Sequence, residues 1–131
     1  MKYIISIILI MFSFNSHATE STYICVVEQV LELSEQGKLL ETKGTYTSVI
    51  GNKFTIDRNH GDMIGYPFTT KSYKSITVLD KGSKENAFKS ISISHPPNIW
   101  AMYIYVKEFQ EGKYKPFWGN EGSYIFSGNC E

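Results

Sequence analysis

After its first eighteen residues the chain is a succession of short apolar segments, with a glycine, proline, asparagine or aspartate turn signal about every 8 to 12 residues. Several segments alternate with period two, which puts one side of a pleated strand in a core. "KFTID" sets Phe54 and Ile56 against Lys53, Thr55 and Asp57. "YKSITVLD" alternates through Ile76 and Val78, and "AFKSISIS" through Ile91 and Ile93. "IWAMYIYVKEF" is the longest and most apolar segment and is expected at the centre of the core. "STYICVVEQVLELS" also carries a helical stripe at Val27, Val30 and Leu31, but its β-branched start favours a strand. "LLETKGTYTSVI" reads as the second strand, and "RNHG" as the turn of a hairpin into "DMIGY". "YPFTTKS" reads as a loop and "HPPN" as a break, because proline donates no ladder bond. The final "PFWGNEGSYIFSGNCE" holds one or two strands around a turn at Gly119 to Gly122. Aromatic residues make up 15% of the chain, and with Ile, Val and Thr they suit a pleated surface. Connections this short join antiparallel neighbours. The expectation is an all-β domain of about eight short antiparallel strands in a meander, closed as a small up-and-down barrel, with a β-sandwich as the alternative.

The opening "MKYIISIILIMFSFNSHATE" places one lysine before an uncharged apolar run, followed by Ser16-His17-Ala18. This is the layout of a secretory signal peptide over residues 1–18, cleaved between Ala18 and Thr19. The run is shorter than the roughly 20 residues of a membrane-spanning helix, and no later run is long enough to span. Residues 19–131 are expected as a single β-domain, periplasmic or secreted.

Export changes how the two cysteines read. Cys25 stands near the start of the exported chain and Cys130 is the penultimate residue. In an oxidising compartment two cysteines pair most simply with each other. Metal ligation lacks a ligand spacing, since only His60 and His95 remain, and no C-x-x-C marks a redox thiol. The pair also supports the barrel, in which first and last strands are neighbours and a Cys25–Cys130 bridge would pin the closure.

Net charge is +0 at pH 7 and Arg58 is the only arginine, so nucleic-acid binding has no support. "DRNHGD" concentrates polar groups. Asp57, Asn59 and Asp62 offer oxygens to a calcium ion, but no glutamate closes the loop and Gly61 falls at a ligand position. Asp57 and His60 make a nominal acid–base couple without a nucleophile motif. Arg58 either holds this turn between two aspartates or is displayed to a partner; the structural role is favoured. Trp100, Met102, Tyr103, Ile104 and Tyr105 read as core or as the lining of a ligand cavity. Tyr66, Phe68, Tyr114, Phe117 and Trp118 fall in loops or at strand ends, where aromatics serve recognition of a protein or glycan, or cap the barrel.

"NKFTIDRNHGDMIG", "VLDKGSKENAFKSISI" and the terminal "SGNC" resemble a group of small exported bacterial proteins of unassigned function with an F-x-x-D-R-x-x-G-x-x-x-G core and a C-terminal cysteine. Phe54, Asp57, Arg58, Gly61 and Gly65 match that core. The resemblance implies export from a Gram-negative-type cell and brings no activity with it.

These readings converge on a non-enzymatic binding module, of the inhibitor, immunity or adaptor kind, that meets another protein through Arg58, Tyr66, Phe68, Tyr114 and Trp118. The alternative is a carrier of a small apolar ligand inside the barrel. No cofactor or metal is called for.

Overall fold

The computed structural model describes residues 21–131; the expected signal peptide and its cleavage point lie outside the described residues. Nine strands follow in chain order: β1 (Thr22–Leu33), β2 (Leu39–Glu41), β3 (Lys53–Asp57), β4 (Met63–Ile64), β5 (Ser75–Lys81), β6 (Phe88–Ile93), β7 (Ala101–Val106), β8 (Lys115–Glu121) and β9 (Tyr124–Cys130). All pairings are antiparallel. They form one continuous sheet in the order β4-β3-β1-β9-β8-β7-β6-β5, with β2 added to β1, curled into a half-barrel. One curled sheet, rather than two packed sheets, decides against the sandwich.

First and last strands are neighbours, as expected, but they pair within the sheet, whose two ends are β4 and β5, so the Cys25–Cys130 bond does not pin a barrel closure. β1 pairs β9 from Cys25–Cys130 to Glu32–Tyr124, with a bulge between Val27 and Gln29. Gly128 sits at that bulge, where a Cβ would lie 2.0 Å from the Val26 carbonyl oxygen. The two backbones approach so closely there that only glycine fits. Cys25 and Cys130 are bonded to each other.

The inner face is built by strand alternation. Tyr23, Cys25, Val27, Phe54, Ile56, Phe88, Met102, Ile104, Val106, Phe117 and Phe126 are all buried there. Phe68 is a correction to the sequence reading: it is fully buried, not displayed. Its ring lies 4.9 Å from that of Phe54 and 5.4 Å from that of Phe126. The β4–β5 loop is drawn inward because Met63 and Thr70 clamp its base. The Met63 N–H donates to Thr70 Oγ1 at 2.9 Å, and the Thr70 N–H to the Met63 carbonyl at 3.1 Å. Phe117, the other ambiguous aromatic, is buried too.

Two boundaries also differ from expectation. "LLETKGTYTSVI" is not one strand: β2 ends at Glu41 and a 3-10 turn spans Thr45–Val49. Gly44, at φ 147°, breaks the ladder, and Val49 is then tucked into the core. At the C-terminal hairpin, Gly119 and Asn120 continue β8, and only Gly122-Ser123 turn. Gly119 is a packing residue, since a Cβ there would meet the Phe68 ring and the Tyr103 carbonyl at 3.0 Å.

Candidate functional site

β8 runs straight to Glu121, so alternation sets Glu121 on the same inner face as Phe117 and Gly119. Its Cα partner across the hairpin is Tyr124, which shares a face with Phe126. A carboxylate therefore points into one end of the half-barrel, where an apolar residue would extend the core. Around it lies a cleft of about 570 Å³. The 3-10 turn supplies Tyr46, the β4–β5 loop Tyr66 and Tyr73, and the β6–β7 connection Ser94 and Trp100.

Each wall has a local cause. Ser94 Oγ accepts from the Trp100 N–H at 2.8 Å and donates to the Asn98 carbonyl at 2.9 Å, which closes the "HPPN" loop and fixes Trp100. The Trp100 ring then rests on the hairpin, since a Cβ on Gly122 would lie 3.0 Å from it. Tyr46 stacks on Tyr124 with centroids 4.0 Å apart. Tyr66 and Trp100 stand on the rim, 55% and 54% exposed.

The Glu121 side chain is half-buried, and its carboxylate takes no hydrogen bond or ion pair among the described residues. Burial pushes its carboxyl above the ordinary value. Burial also raises the Tyr73 phenol, and the Glu121 carboxylate raises it further. Tyr66 is raised chiefly by burial, with Tyr46 and Glu121 adding to it. Among the described residues no lysine or arginine lines the cleft.

The five residues expected to meet a partner, Arg58, Tyr66, Phe68, Tyr114 and Trp118, do not assemble with one another. Of them only Tyr66 lines this cleft, joined there by Trp100 from the segment read as core or cavity lining. Phe68 is core. Trp118 projects from the outer face of β8 beside Tyr103, at 5.2 Å, and Tyr105, at 6.1 Å. Tyr114 lies over a separate outer groove with Val26, Lys53 and Asn129. Strand direction puts Arg58 at the opposite end from the cleft, on the β3–β4 turn.

Arg58 is occupied there. Its Nε and Nη2 donate to the Lys81 carbonyl at 3.3 and 3.0 Å, and Nη1 lies 3.5 Å from Glu108 Oε1. Its guanidinium sits 4.9 Å over the Tyr23 ring, whose hydroxyl donates to Glu108 Oε2 at 2.6 Å. Burial, then that bond to Glu108, holds the Tyr23 phenol well above its ordinary pKa. The neighbouring aspartates do not engage the arginine as expected. Asp57 Oδ1 caps the Asn59 and His60 N–H groups, and Oδ2 pairs with His60 Nδ1 at 3.0 Å, holding the Asp57 carboxyl below its usual range. Asp57, His60 and Asp62 have ligand-type atoms within 4.8 Å of one another. The Asn59 side-chain oxygen instead faces the Lys81 ammonium at 3.3 Å.

Sequence reasoning missed Glu121, Tyr46, Tyr73 and Tyr124. The signal was the parity of Phe117, Gly119 and Glu121, hidden by reading Gly119-Asn120 as a turn. No family model, curated protein or solved structure matches the chain.

Proposed function

We propose that the protein is an exported, non-enzymatic binding module that holds a protein partner at the tyrosine cleft. The observation that carries this is Glu121, an inward-facing carboxylate without a partner among the described residues, walled by Tyr46, Tyr66, Tyr73, Trp100 and Tyr124. Tyrosine and tryptophan on a concave rim are the residue types that dominate binding energy at interfaces. Export, through cleavage after Ala18 into the periplasm or the medium of a Gram-negative-type cell, draws support from the Cys25–Cys130 bond, which persists in oxidising compartments. The described residues contain no helix long and apolar enough to cross a membrane.

The recognition surface proposed here differs from the one expected from sequence, because Arg58 is engaged and Phe68 is buried. The carrier alternative needs a lumen, and Phe54, Phe68, Phe88, Phe117 and Phe126 fill the interior. That favours the cleft over the barrel's inside.

The test is a photo-crosslinking amino acid placed in living cells at Trp100 and, as a control, at exposed Leu79 on β5. A discrete crosslinked species is expected from position 100 alone, reduced about tenfold by Tyr66→Ala, as for a central interface aromatic. No product from position 100, or one indifferent to Tyr66→Ala, overturns the reading.

A further inference from the structure

We infer that the group seated in this cleft is a guanidinium, the arginine side chain of the partner protein. The inference rests on the binding reading above and deepens it by naming the ligand's chemistry.

Three observations point the same way. The cleft has a carboxylate at its inner wall and no cation among its lining residues. Glu121 stands half-buried with no hydrogen bond or ion pair among the described residues, although it lies on a face that otherwise buries Phe117 and Phe126. A lone carboxylate drawn out of water is costly, and an incoming cation offsets that cost. Much of the remaining wall is aromatic, from Tyr46, Tyr66, Tyr73, Trp100 and Tyr124, interrupted by serine and threonine hydroxyls, and cations are attracted to aromatic faces within about 6 Å of the ring centre.

The choice between basic groups follows from hydration and shape. An ammonium is a compact, strongly hydrated charge. A guanidinium is planar and weakly hydrated; it stacks on aromatic rings while its fork engages both oxygens of a carboxylate. In a partly desolvated site walled by rings, the planar cation gives up less water. A volume of about 570 Å³ accommodates one such side chain with part of its backbone. The chain already uses this recognition internally, where Arg58 lies over the Tyr23 ring and against Glu108.

The experiment is an NMR titration of the purified protein, read at the Trp100 indole N–H and the Tyr66 ring, with four probes: N-acetylarginine amide, N-acetylcitrulline amide, N-acetyllysine amide and guanidinium ion. Citrulline keeps the shape and removes the charge. The arginine amide is expected to bind about tenfold or more tighter than the citrulline amide, the scale of one charge-assisted hydrogen bond. It is also expected to bind more tightly than the lysine amide. Glu121→Gln should abolish the preference over citrulline while leaving the fold intact. Equal binding of arginine and citrulline amides at Trp100 overturns this inference and leaves the cleft a binding site for a neutral ligand. Lysine matching arginine overturns the guanidinium assignment. Guanidinium ion binding as tightly as the capped arginine overturns the protein source in favour of a small cation. No perturbation of the cleft by any probe overturns the inference. A crosslink at position 100 that still depends on Tyr66 then preserves the binding reading, and loss of both ends it.

Discussion

Glu121 is the residue at which stability and the proposed recognition pull apart. Burial raises its carboxyl pKa above the unfolded value, so folding disfavours the charged form. The sign follows from linkage: the folded state binds the proton more tightly, so stability falls as pH rises from the unfolded pKa through the folded one. The full penalty remains above that window and is absent below it. Glu121→Gln is therefore expected to raise the melting temperature at pH 7 and to match the wild type near about pH 3.5, where an ordinary glutamate is already largely protonated. Paired thermal melts across that range check it; a variant less stable at pH 7, or an offset independent of pH, would remove the strain argument. A gain in stability on Glu121→Gln would fit the common trade between stability and function. Arg58 is the opposite case. The sequence reading favoured a structural role between two aspartates; the guanidinium instead engages Tyr23, Lys81 and Glu108, far along the chain.

At the scale of elements, Arg58 acts as a clasp. Among the described residues no ladder joins β4 to β5, the two ends of the curled sheet. The seam is crossed instead by side chains. Gly61 of the β3–β4 turn packs so closely on β5 that a Cβ would lie 2.8 Å from Ile76, and Arg58 reaches the carbonyls of Lys81 and Gly82 where β5 ends. The Arg58 side chain is only 12% exposed, so truncation takes the cation away from the part-buried Gly82 carbonyl and the Glu108 carboxylate. Arg58→Ala is expected to cost about 2–3 kcal/mol in urea denaturation. Arg58→Lys should recover less than half of that, because an ammonium cannot fork between two carbonyls and a carboxylate. A loss under about 0.5 kcal/mol, the usual size of a surface substitution, would show the seam holds without the clasp. The strands on either side of it were legible, because Phe54 and Ile56, and Ile76 and Val78, alternate without interruption; in β6 the alternation was legible but its inward side was not, since Phe88, Ser90 and Ser92 are buried and Ile91 and Ile93 lie on the other face. β2, the 3-10 turn and the end of β8 were not, since Gly44 and Gly119 look alike in sequence: one breaks a strand and the other lets Phe68 press against one.

For the whole molecule the Cys25–Cys130 bond ties together strands that are already paired. The bridge spans 105 positions of sequence, and removing a native disulfide from a small domain typically costs about 2–5 kcal/mol. The Cys25→Ser, Cys130→Ser double variant is expected to unfold at lower denaturant by that amount yet to keep its β-sheet spectrum, because the β1–β9 ladder runs on to Glu32–Tyr124. Loss of the sheet signal in native buffer would make the bond a condition of folding. The amino-acid order alone determined the all-β class, the antiparallel meander, the cysteine pairing and the adjacency of first and last strands. The first two rest on period-two alternation and on connection lengths, which are local properties; the last two rest on the chain's having two cysteines, Cys25 and Cys130, that pair most simply with each other. The destination of each loop aromatic was decided only in three dimensions. Tyr66 and Phe68 are two residues apart in one loop, yet one stands on the rim and the other fills the core. Their fates depend on Gly119, Phe54 and Phe126, which meet Phe68 only after the sheet has curled. Glu121 became a candidate site for the same reason: its inward direction is a parity, but the rings that surround it arrive from four separate parts of the chain.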